Sequence, residues 1–479
     1  MTNDETPFGF RHSDLIRHSS FEFRHFWHWP TVPYNASNRG LFKRVRRVRV
    51  LLIAEACNPE FVSVPLEGWS HSRAIASLVD AHVVTQVRNR EAVLRAGLSE
   101  GRDFTAIDSE AVAARIYRLS RLLRGGSGKG WTTVTALSAL GYPYFEHLVW
   151  KQFGGRIRRG EFDIVHRLTP LSPTTPSLLA ARCRAARVPF VLGPLNGGVP
   201  WPRDFDAARR QEREWLSYIR GIYKLLPGYH STRRAASALI VGSRDTWKQV
   251  PAGYRRNCIY IPENAIDPAR FTRRRQAPAG NPIRAVFIGR LVPYKGADML
   301  LEAATPLVRD GKLTVEIIGD GPQRPLLQEI VARENIQAGV NLAGWVEHRM
   351  IQERLLQADI FVFPSVREFG GAAALEAMAI GVVPIVMNYG GPAELVTPKT
   401  GFLLPMGSRR QIIIGLHALL ADLATHPEKI EEKSAAAYRR AHGQFTWESK
   451  ASQVIEVYQW VLDPRRPMPR FPMPPPDLD

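Results

Sequence analysis

Short apolar runs alternate with segments of helical spacing along most of the chain. The first run, Val48–Ala54, is apolar except at Arg49, which is typical of a strand buried on both faces of a sheet. Such alternation predicts a parallel sheet covered by helices on both faces. The other strands predicted in the first half are His82–Val87, Phe162–His166, Val188–Leu192, Ala238–Gly242 and Cys258–Ile261, with Ser72–Val79 and Ser177–Ala186 among the helices.

The alternation starts again after residues 272–282, a polar and basic segment with Pro and Gly that is predicted to be a linker. We therefore expect two doubly wound α/β domains, at 41–271 and 283–445. A helix is predicted at 446–463, with Thr446 as its N-cap. Residues 1–40 are predicted to be an irregular arm and the Pro-rich residues 464–479 an extended tail. The predicted strands of the second domain are Arg284–Gly289, Thr314–Ile318, Val340–Ala343, Asp359–Phe363 and Val382–Met387, with helices at Pro325–Glu334 and Ala372–Ala379.

Composition narrows the class of protein. The 479 residues are 45% hydrophobic and 23% charged, which fits a globular chain and excludes a wholly disordered, collagen-like or coiled-coil one. The net charge of +19 favours anionic partners such as nucleotides, acidic membranes or nucleic acid. The three cysteines form no C-x-x-C pair, so neither a disulfide framework nor a zinc site is predicted and a reducing compartment fits best. No apolar run approaches a membrane span and no secretory signal opens the chain, so we expect a cytoplasmic protein.

Ligands of open α/β sheets bind beyond the carboxyl ends of the strands, so the loops after the strands carry the candidate chemistry. Arg290 and Lys295 follow the first strand of the second domain and precede a helix, which outlines a diphosphate site; two ordinary surface cations are the alternative interpretation. Glu368 lies on the loop after Asp359–Phe363, and Glu376 lies in the helix beyond it. A carboxylate on such an apolar helix is costly to bury unless it is hydrogen-bonded, which suggests recognition of a pair of hydroxyls.

These motifs resemble the donor-binding half of the retaining GT-B glycosyltransferases of family 4, the glycosyl transferases group 1. The resemblance rests on Glu, seven residues and Glu at Glu368 and Glu376, on Gly-Arg at 289 and 290, and on Lys-Gly at 295 and 296. Further matches run from Pro262 through Asp267 to Phe271, and over Phe445-Thr-Trp447. The resemblance covers roughly residues 260–460 and is only architectural over 48–250. It implies two Rossmann-like domains that face a central cleft, with the C-terminal helix packing back toward the first.

The family's roles carry over to the matching positions. The resemblance implies that Arg290 and Lys295 bind the donor diphosphate and assist catalysis, that Glu376 accepts hydrogen bonds from the ribose, and that Glu368 contacts the transferred sugar. Backbone groups of Gly370, Gly371 and Ala372 would contact sugar and phosphate, and those of Gly344 and Val346 the base. Gly68 would approach the diphosphate from the first domain, and His166 would donate a hydrogen bond near the reacting sugar. For His166, a histidine satisfied within a strand-end loop is the alternative.

Two departures from the family pattern affect these roles. Where the family usually has an aromatic residue immediately before the glycine at 371, this chain has Gly370, with Phe369 one position earlier. This change is expected to bear on the choice of sugar. Where family members often place His-x-His, only His166 is present and Leu168 holds the second position, so the acceptor side stays open.

Three other signals carry less weight. The run Gly126-Ser-Gly-Lys-Gly lacks the Ser or Thr that follows Lys in a phosphate-binding P-loop. Asp204 and Asp206 have the spacing of a metal-binding pair but lie in a polar region, and no metal is predicted. Arginines every three residues from Arg115 to Arg124 form a basic amphipathic segment, which fits either an anionic membrane surface or a solvated helix face.

The resemblance therefore implies a metal-independent, retaining glycosyltransferase that needs no cofactor besides its nucleotide-sugar co-substrate. Its acceptor is expected to be a glycan or a lipid-linked glycan, reached by peripheral association with the inner membrane face. The alternatives are a GT-B enzyme on a soluble acceptor, such as a sugar-phosphate synthase or a nucleotide-sugar epimerase, and a basic nucleic-acid-binding protein. The last lacks aromatic residues interleaved with basic ones on a recognisable module, so no nucleic-acid partner is expected.

Overall fold

The computed structural model describes residues 47–111, 131–206, 222–225, 228–276 and 280–472. Within them lie two parallel sheets with helices on both faces, so the predicted class, α/β with two doubly wound domains, is confirmed. The arm at 1–40, the basic segment from Arg115 to Arg124, the run at Gly126 and the last residues of the tail lie outside the described residues. No helix of the described part is long and apolar enough to cross a lipid bilayer.

The first sheet has seven strands in the spatial order β3-β2-β1-β4-β5-β6-β7. Strand β1, which lies between β2 and β4, is buried from Val50 to Ala54, because the apolar run has no polar position to expose. The strands are β1 (Arg49–Ala54), β2 (Asp80–Gln86), β3 (Phe104–Ile107), β4 (Ile164–Thr169), β5 (Phe190–Leu195), β6 (Ala238–Val241) and β7 (Cys258–Tyr260).

The second sheet has six strands in the order β10-β9-β8-β11-β12-β13. The chain enters at β8, winds outward to β10, and then returns to the far side of β8, so the direction of winding reverses between β8 and β11. The strands are β8 (Ile283–Ile288), β9 (Leu313–Ile318), β10 (Val340–Gly344), β11 (Ile360–Phe363), β12 (Val383–Met387) and β13 (Phe402–Leu404).

Helices cover both faces of each sheet. Those described beside the first sheet are α1 (Val64–Leu78), α2 (Arg90–Arg95), α3 (Trp131–Arg158), α4 (Leu178–Ala185), α5 (Tyr229–Ala235) and α6 (Arg244–Gln249). Those that follow are α7 (Ala297–Arg309), α8 (Arg324–Arg333), α9 (Ile351–Leu355), α10 (Ala372–Ala379), α11 (Gly390–Leu395), α12 (Arg409–Thr425), α13 (Glu428–Gln444) and α14 (Trp447–Leu462).

The last helix, α14, packs against α1 and belongs to the core of the first domain. Its N-cap is Thr446, whose side chain accepts a hydrogen bond from the Ser449 amide at 3.1 Å. Val454 and Tyr458 are completely buried among strands of the first sheet. The helix therefore ties the end of the chain back to the first domain, as the resemblance implies.

Sequence patterns missed several elements. The edge strands β3 and β13 have four and three residues, too few for an apolar run to stand out. Helix α1 begins at Val64, eight residues before the predicted start at Ser72, because its buried face carries Glu67 and His71 as well as apolar residues.

The segment predicted to be a linker also contains a buried side chain. Arg275 donates hydrogen bonds to Asp359 at 3.1 Å and to Glu431, and its side chain is only 1% exposed. The segment is therefore anchored to the second domain at this point.

Candidate active site

The loop after β8 places two cations at the carboxyl end of the sheet. Arg290 follows the strand, a short 3₁₀ turn over Pro293–Lys295 comes next, and Gly296 forms the N-cap of α7. Gly296 has φ 79°, a conformation that favours glycine, and a Cβ there would lie 2.7 Å from the Pro364 carbonyl oxygen. The turn thus holds Lys295 at a helix N-terminus, where anions are favoured.

Lys295 and Glu368 come together at this edge of the sheet. The Lys295 ammonium donates to Glu368 Oε2, and the two side chains are each 17% exposed. The ammonium also lies 5.1 Å from the ring centroid of Phe363, the last residue of β11. Because the two loops follow β8 and β11, they flank the point where the winding of the sheet reverses, which is where open α/β sheets bind ligands.

The glycines after Glu368 begin helix α10. Gly371 is its N-cap with φ 79°, and Ala372 is its first residue, so the amides of this turn point toward the same edge of the sheet. Gly370 has no room for a side chain, since a Cβ there would lie 1.9 Å from the Asn264 amide nitrogen. The space beside Gly370 is therefore filled by Asn264.

Glu376 on α10 belongs to a chain of hydrogen bonds. Arg270 Nη2 lies 3.0 Å from His348 Nδ1, and His348 Nε2 lies 2.8 Å from Glu376 Oε1. A guanidinium can only donate, so Nδ1 accepts and the Nε2 proton is left to donate to the carboxylate. Burial alone would raise the pKa of Glu376, but the interaction with His348, supported by Arg270, lowers it below its ordinary value. Glu376 is thus held ionised as an acceptor.

The two positions predicted to face a base lie at the edge of the sheet. Gly344 ends β10, and its carbonyl accepts from the Gly319 amide at 2.7 Å. Val346 follows two residues later and packs against the core of the second domain. Both positions lie in the second domain, and their predicted contact with the base of the nucleotide stays a prediction.

The expectation for Gly68 has a different physical basis in the structure. Gly68 is buried inside the first turns of α1, and a Cβ there would lie 2.0 Å from the Ala56 carbonyl oxygen and 3.1 Å from the Thr169 methyl group. The close packing of α1 on the loop after β1 therefore requires glycine at this position, and an approach of Gly68 to the diphosphate stays a prediction.

The predicted donor role of His166 does not agree with its surroundings. The ring is completely buried, with Nε2 2.7 Å from the Gly193 carbonyl and Nδ1 2.6 Å from the Tyr458 hydroxyl. Nε2 must donate to the carbonyl, so Nδ1 accepts from Tyr458, and burial lowers the pKa of His166 to about 3. Both nitrogens are engaged, and the alternative interpretation, a histidine satisfied at a strand end, describes its place better.

The cleft is bridged by contacts between the domains. Glu394 of the second domain accepts from the Arg244 amide and from the Tyr260 hydroxyl of the first, both at 2.8 Å. Burial is the main reason that the pKa of Glu394 is raised to about 7. The Arg367 guanidinium lies 5.0 Å from the ring centroids of both Trp201 and Phe369. The loop after β5 thus lies against the Glu368 loop.

Among the described residues, no group of three or more His, Cys, Asp or Glu side chains is placed to hold a metal ion. Asp204 is exposed on a short 3₁₀ helix. Cys57, Cys183 and Cys258 are all buried and unpaired by disulfides. The polar groups at the carboxyl edge of the second sheet include the side chains of Lys295 and Glu368 and the N-termini of α7 and α10.

Comparison with known proteins fits this geometry. Residues 269–440 match the family model described as glycosyl transferases group 1. The match spans most of the second domain. The matched region contains Arg290, Lys295, Glu368 and Glu376, which follow β8 and β11 on the two sides of the reversal of the sheet.

Each of two curated relatives matches somewhat less than half of this chain. A glycogen synthase of Mycobacterium tuberculosis is 28% identical over 218 residues, which are 45% of this chain and 52% of that protein. A D-inositol 3-phosphate glycosyltransferase of Geodermatophilus obscurus is 29% identical over 247 residues, 47% of this chain and 52% of that protein. The chain spans about half the length of the curated relatives it matches.

Solved structures extend the likeness to the whole fold. A glycosyltransferase from Rickettsia africae superposes with a TM-score of 0.57 at 14% identity, covering 88% of this chain and 100% of that one. HepE from Anabaena, solved in complex with UDP, superposes with a TM-score of 0.55 at 14% identity, covering 86% and 99%. The expected GT-B arrangement of two Rossmann-like domains is thereby confirmed.

Sequence reasoning missed His348, Arg270 and Asn264 as members of the site. His348 and Glu376 are on separate elements, and only the fold brings them within hydrogen-bonding distance. Asn264 lies in the segment from Pro262 to Phe271, whose sequence resembles the family. Its contact with Gly370 is visible only in the three-dimensional structure.

Replacing His348 tests the hydrogen-bond chain behind Glu376. We expect His348→Leu to weaken binding of the nucleoside diphosphate by about tenfold, since a lost hydrogen bond to a charged group costs about 1.5–3 kcal/mol. His348→Gln should retain part of the affinity, because its amide can donate where Nε2 does. Titration calorimetry with the nucleotide measures both variants, and the exposed His426→Gln serves as the control. Equal affinities of wild type and His348→Leu would contradict the positioning role.

Proposed function

We propose that the chain is a retaining glycosyltransferase, which moves a sugar from a nucleoside-diphosphate donor to a glycan or lipid-linked acceptor without a metal ion. The observation that carries this proposal is the pairing of Lys295 with Glu368 where the winding of the second sheet reverses. A cation and a hydroxyl acceptor side by side suit the junction between a diphosphate and its sugar. The family match over residues 269–440 and the UDP seen with a solved relative agree with this assignment.

In the proposed reaction the bond between the anomeric carbon and the diphosphate oxygen breaks, and negative charge grows on the departing phosphate. Lys295, Arg290 and the N-termini of α7 and α10 stabilise that charge electrostatically. Glu376, held ionised by His348, accepts from the ribose hydroxyls. The acceptor oxygen attacks from the face that the phosphate leaves, and its proton passes to the departing phosphate oxygen, so no covalent sugar–enzyme intermediate is needed.

Donor binding can be measured before an acceptor is known. We expect one of the UDP-, GDP- or ADP-sugars to raise the melting temperature of the full chain, since a ligand that binds only the folded state stabilises it. Turnover with membrane extract should persist in excess EDTA, and NMR of the product should show the anomeric configuration of the donor. Absence of binding by all three classes of donor would overturn the proposal.

The two carboxylates should separate in their kinetic effects. Glu376→Ala removes contacts to the ribose that are present before and during reaction, so we expect it to raise KM of the donor. Glu368→Ala removes an acceptor at the reacting sugar, so we expect it chiefly to lower kcat. Steady-state kinetics with the donor that stabilises the wild type distinguish them, and wild-type values in both variants would defeat this assignment.

The proposed setting is the cytoplasm, with peripheral contact to the inner membrane face. The net charge of +19 supports attraction to an anionic surface.

A further inference from the structure

A side chain of the first domain is buried in the core of the second. The chain after β5 is anchored to α6, where the Gly198 carbonyl accepts from the Gln249 side chain at 2.9 Å. Three residues later, Trp201 is only 8% exposed and packs with the buried apolar side chains of the second domain. The first domain therefore sets the position of Trp201, whereas the surroundings of its ring belong to the second domain.

Trp201 contacts the residue that precedes each member of the Lys295–Glu368 pair. The rings of Trp201 and Tyr294 are 5.6 Å apart between centroids at an interplanar angle of 84°, which is an edge-to-face contact. The Arg367 guanidinium lies 5.0 Å from the centroid of the Trp201 ring, within the range of a cation–π contact. Tyr294 is on the loop after β8, and Arg367 is on the loop after β11. One side chain of the first domain thus reaches both loops that carry the pair.

The Arg367 side chain is held between the two domains. Its Nε donates to the Val199 carbonyl of the first domain at 3.4 Å, and its guanidinium also lies 5.0 Å from the ring centroid of Phe369. The residue is 7% exposed, and a guanidinium stacked on aromatic rings away from water is firmly placed. Glu368 stands between Arg367 and Phe369 in the chain, so this stack fixes the backbone from which the Glu368 side chain extends.

The two loops are also joined to each other. The Val366 amide donates to the Tyr294 carbonyl at 2.9 Å. A displacement of Trp201 would therefore be passed to Lys295 and Glu368 together. Groups that act on a reacting bond must be held in place closely, because small misplacements cost rate.

We propose that Trp201 is a positioning residue for the transfer reaction. Through Tyr294 and Arg367 it sets the places of the Lys295–Glu368 pair when the two domains lie together over the donor. This inference rests on the proposed function and adds a link between the position of the first domain and the groups that act on the donor. Trp201 acts through its neighbours, so its loss should affect the rate of the bound complex more than the binding of the nucleotide.

The test uses kinetics of the full chain with the donor that stabilises the wild type. We expect Trp201→Leu to lower kcat by about tenfold to a hundredfold per folded protein, as misplaced reacting groups do. The KM of the donor should stay within about twofold of the wild type, since the nucleotide itself keeps its contacts. Trp201→Phe keeps an aromatic ring for both contacts, so it should restore kcat to within about threefold of the wild type.

Arg367→Met removes the same contact from the second domain, so the test does not depend on the folding of Trp201→Leu. If the two side chains act through one contact, the double variant should lose no more kcat than the more severe single variant, whereas independent losses would multiply. Urea unfolding of each variant gives the fraction of folded protein. Hydrogen exchange of residues 365–371 should be faster in Trp201→Leu than in Trp201→Phe, which reports the placement of the loop without turnover.

Trp150→Leu is the matched control, since the ring of Trp150 lies 5.4 Å from both the Arg158 and the Arg182 guanidinium. It is on α3, which leads into the amino end of β4, so kcat should equal that of the wild type. Wild-type kcat in Trp201→Leu, a raised KM with unchanged kcat, or multiplied losses in the double variant would each overturn the inference. A wild type that releases no nucleoside diphosphate from any donor would instead count against the proposed function itself.

Discussion

Lys295→Met is expected to lower turnover by about 10²–10³-fold while the protein stays folded. At an effective dielectric of about 20, a cation about 4 Å from a unit charge contributes roughly 4 kcal/mol, and each 1.4 kcal/mol of barrier is tenfold in rate. The variant also leaves Glu368 without its ion-pair partner, so an unbalanced carboxylate then faces the diphosphate. The measurement is nucleoside diphosphate release from the donor that stabilises the wild type.

Lys312→Met is the matched control, since this lysine is half exposed and pairs at 3.5 Å with Asp310, away from the cleft. An exposed pair of this kind contributes little, so its rate should equal that of the wild type. If Lys295→Met kept wild-type turnover, or if both variants lost it equally, the diphosphate role of Lys295 would be refuted.

The sequence allowed most of the fold to be predicted because its strands are continuous apolar runs. A run such as Val50–Ala54 is stable only when it is buried inside a sheet that is covered on both faces, so its place can be predicted from the run alone. Elements whose buried face is polar escaped the same reasoning. Helix α1 buries Glu67, His71 and Ser72, and their burial depends on α14, which lies at the other end of the chain.

The site shows the same division. The positions of Arg290, Lys295, Glu368 and Glu376 at the carboxyl edge of the second sheet were predictable because each comes soon after a strand of that sheet, whereas their roles stay predictions. Tyr458, which donates a hydrogen bond to His166 Nδ1, is 292 residues away in the chain, so the sequence around His166 could not predict this contact. Gly68 illustrates a related limit, since a glycine needed for packing and one needed for a ligand look alike in a sequence.

In the second domain the proposed site lies at the carboxyl ends of the strands, and a buried ion cluster lies at their amino ends. The carboxyl end of β11 leads to Glu368, whereas its amino end follows Asp359, which is completely buried. Asp359 accepts from the Arg284 amide at 2.8 Å and from the guanidinium groups of Arg284 and Arg275. This cluster holds β8, β11 and the segment before β8 together at the edge of the sheet remote from the cleft.

Asp359→Ala is therefore expected to destabilise the second domain by about 3–5 kcal/mol without changing the chemistry of the site. Removing Asp359 takes the acceptor from the Arg284 amide and one of two carboxylate partners from Arg275, whose side chain is only 1% exposed and keeps Glu431. Loss of one partner from such a buried cluster of charges is strongly destabilising. Urea unfolding measures the loss in free energy of unfolding. Hydrogen exchange of the β8 and β11 amides shows whether the loss is located in the second domain. The control is Asp310→Ala, whose exposed pair should change stability by no more than about 0.5 kcal/mol. At a temperature where the variant remains folded, its kcat should equal that of the wild type, because Asp359 lies at the opposite end of β11 from Glu368. A loss of kcat with unchanged stability would show that Asp359 acts on the site, which contradicts this assignment.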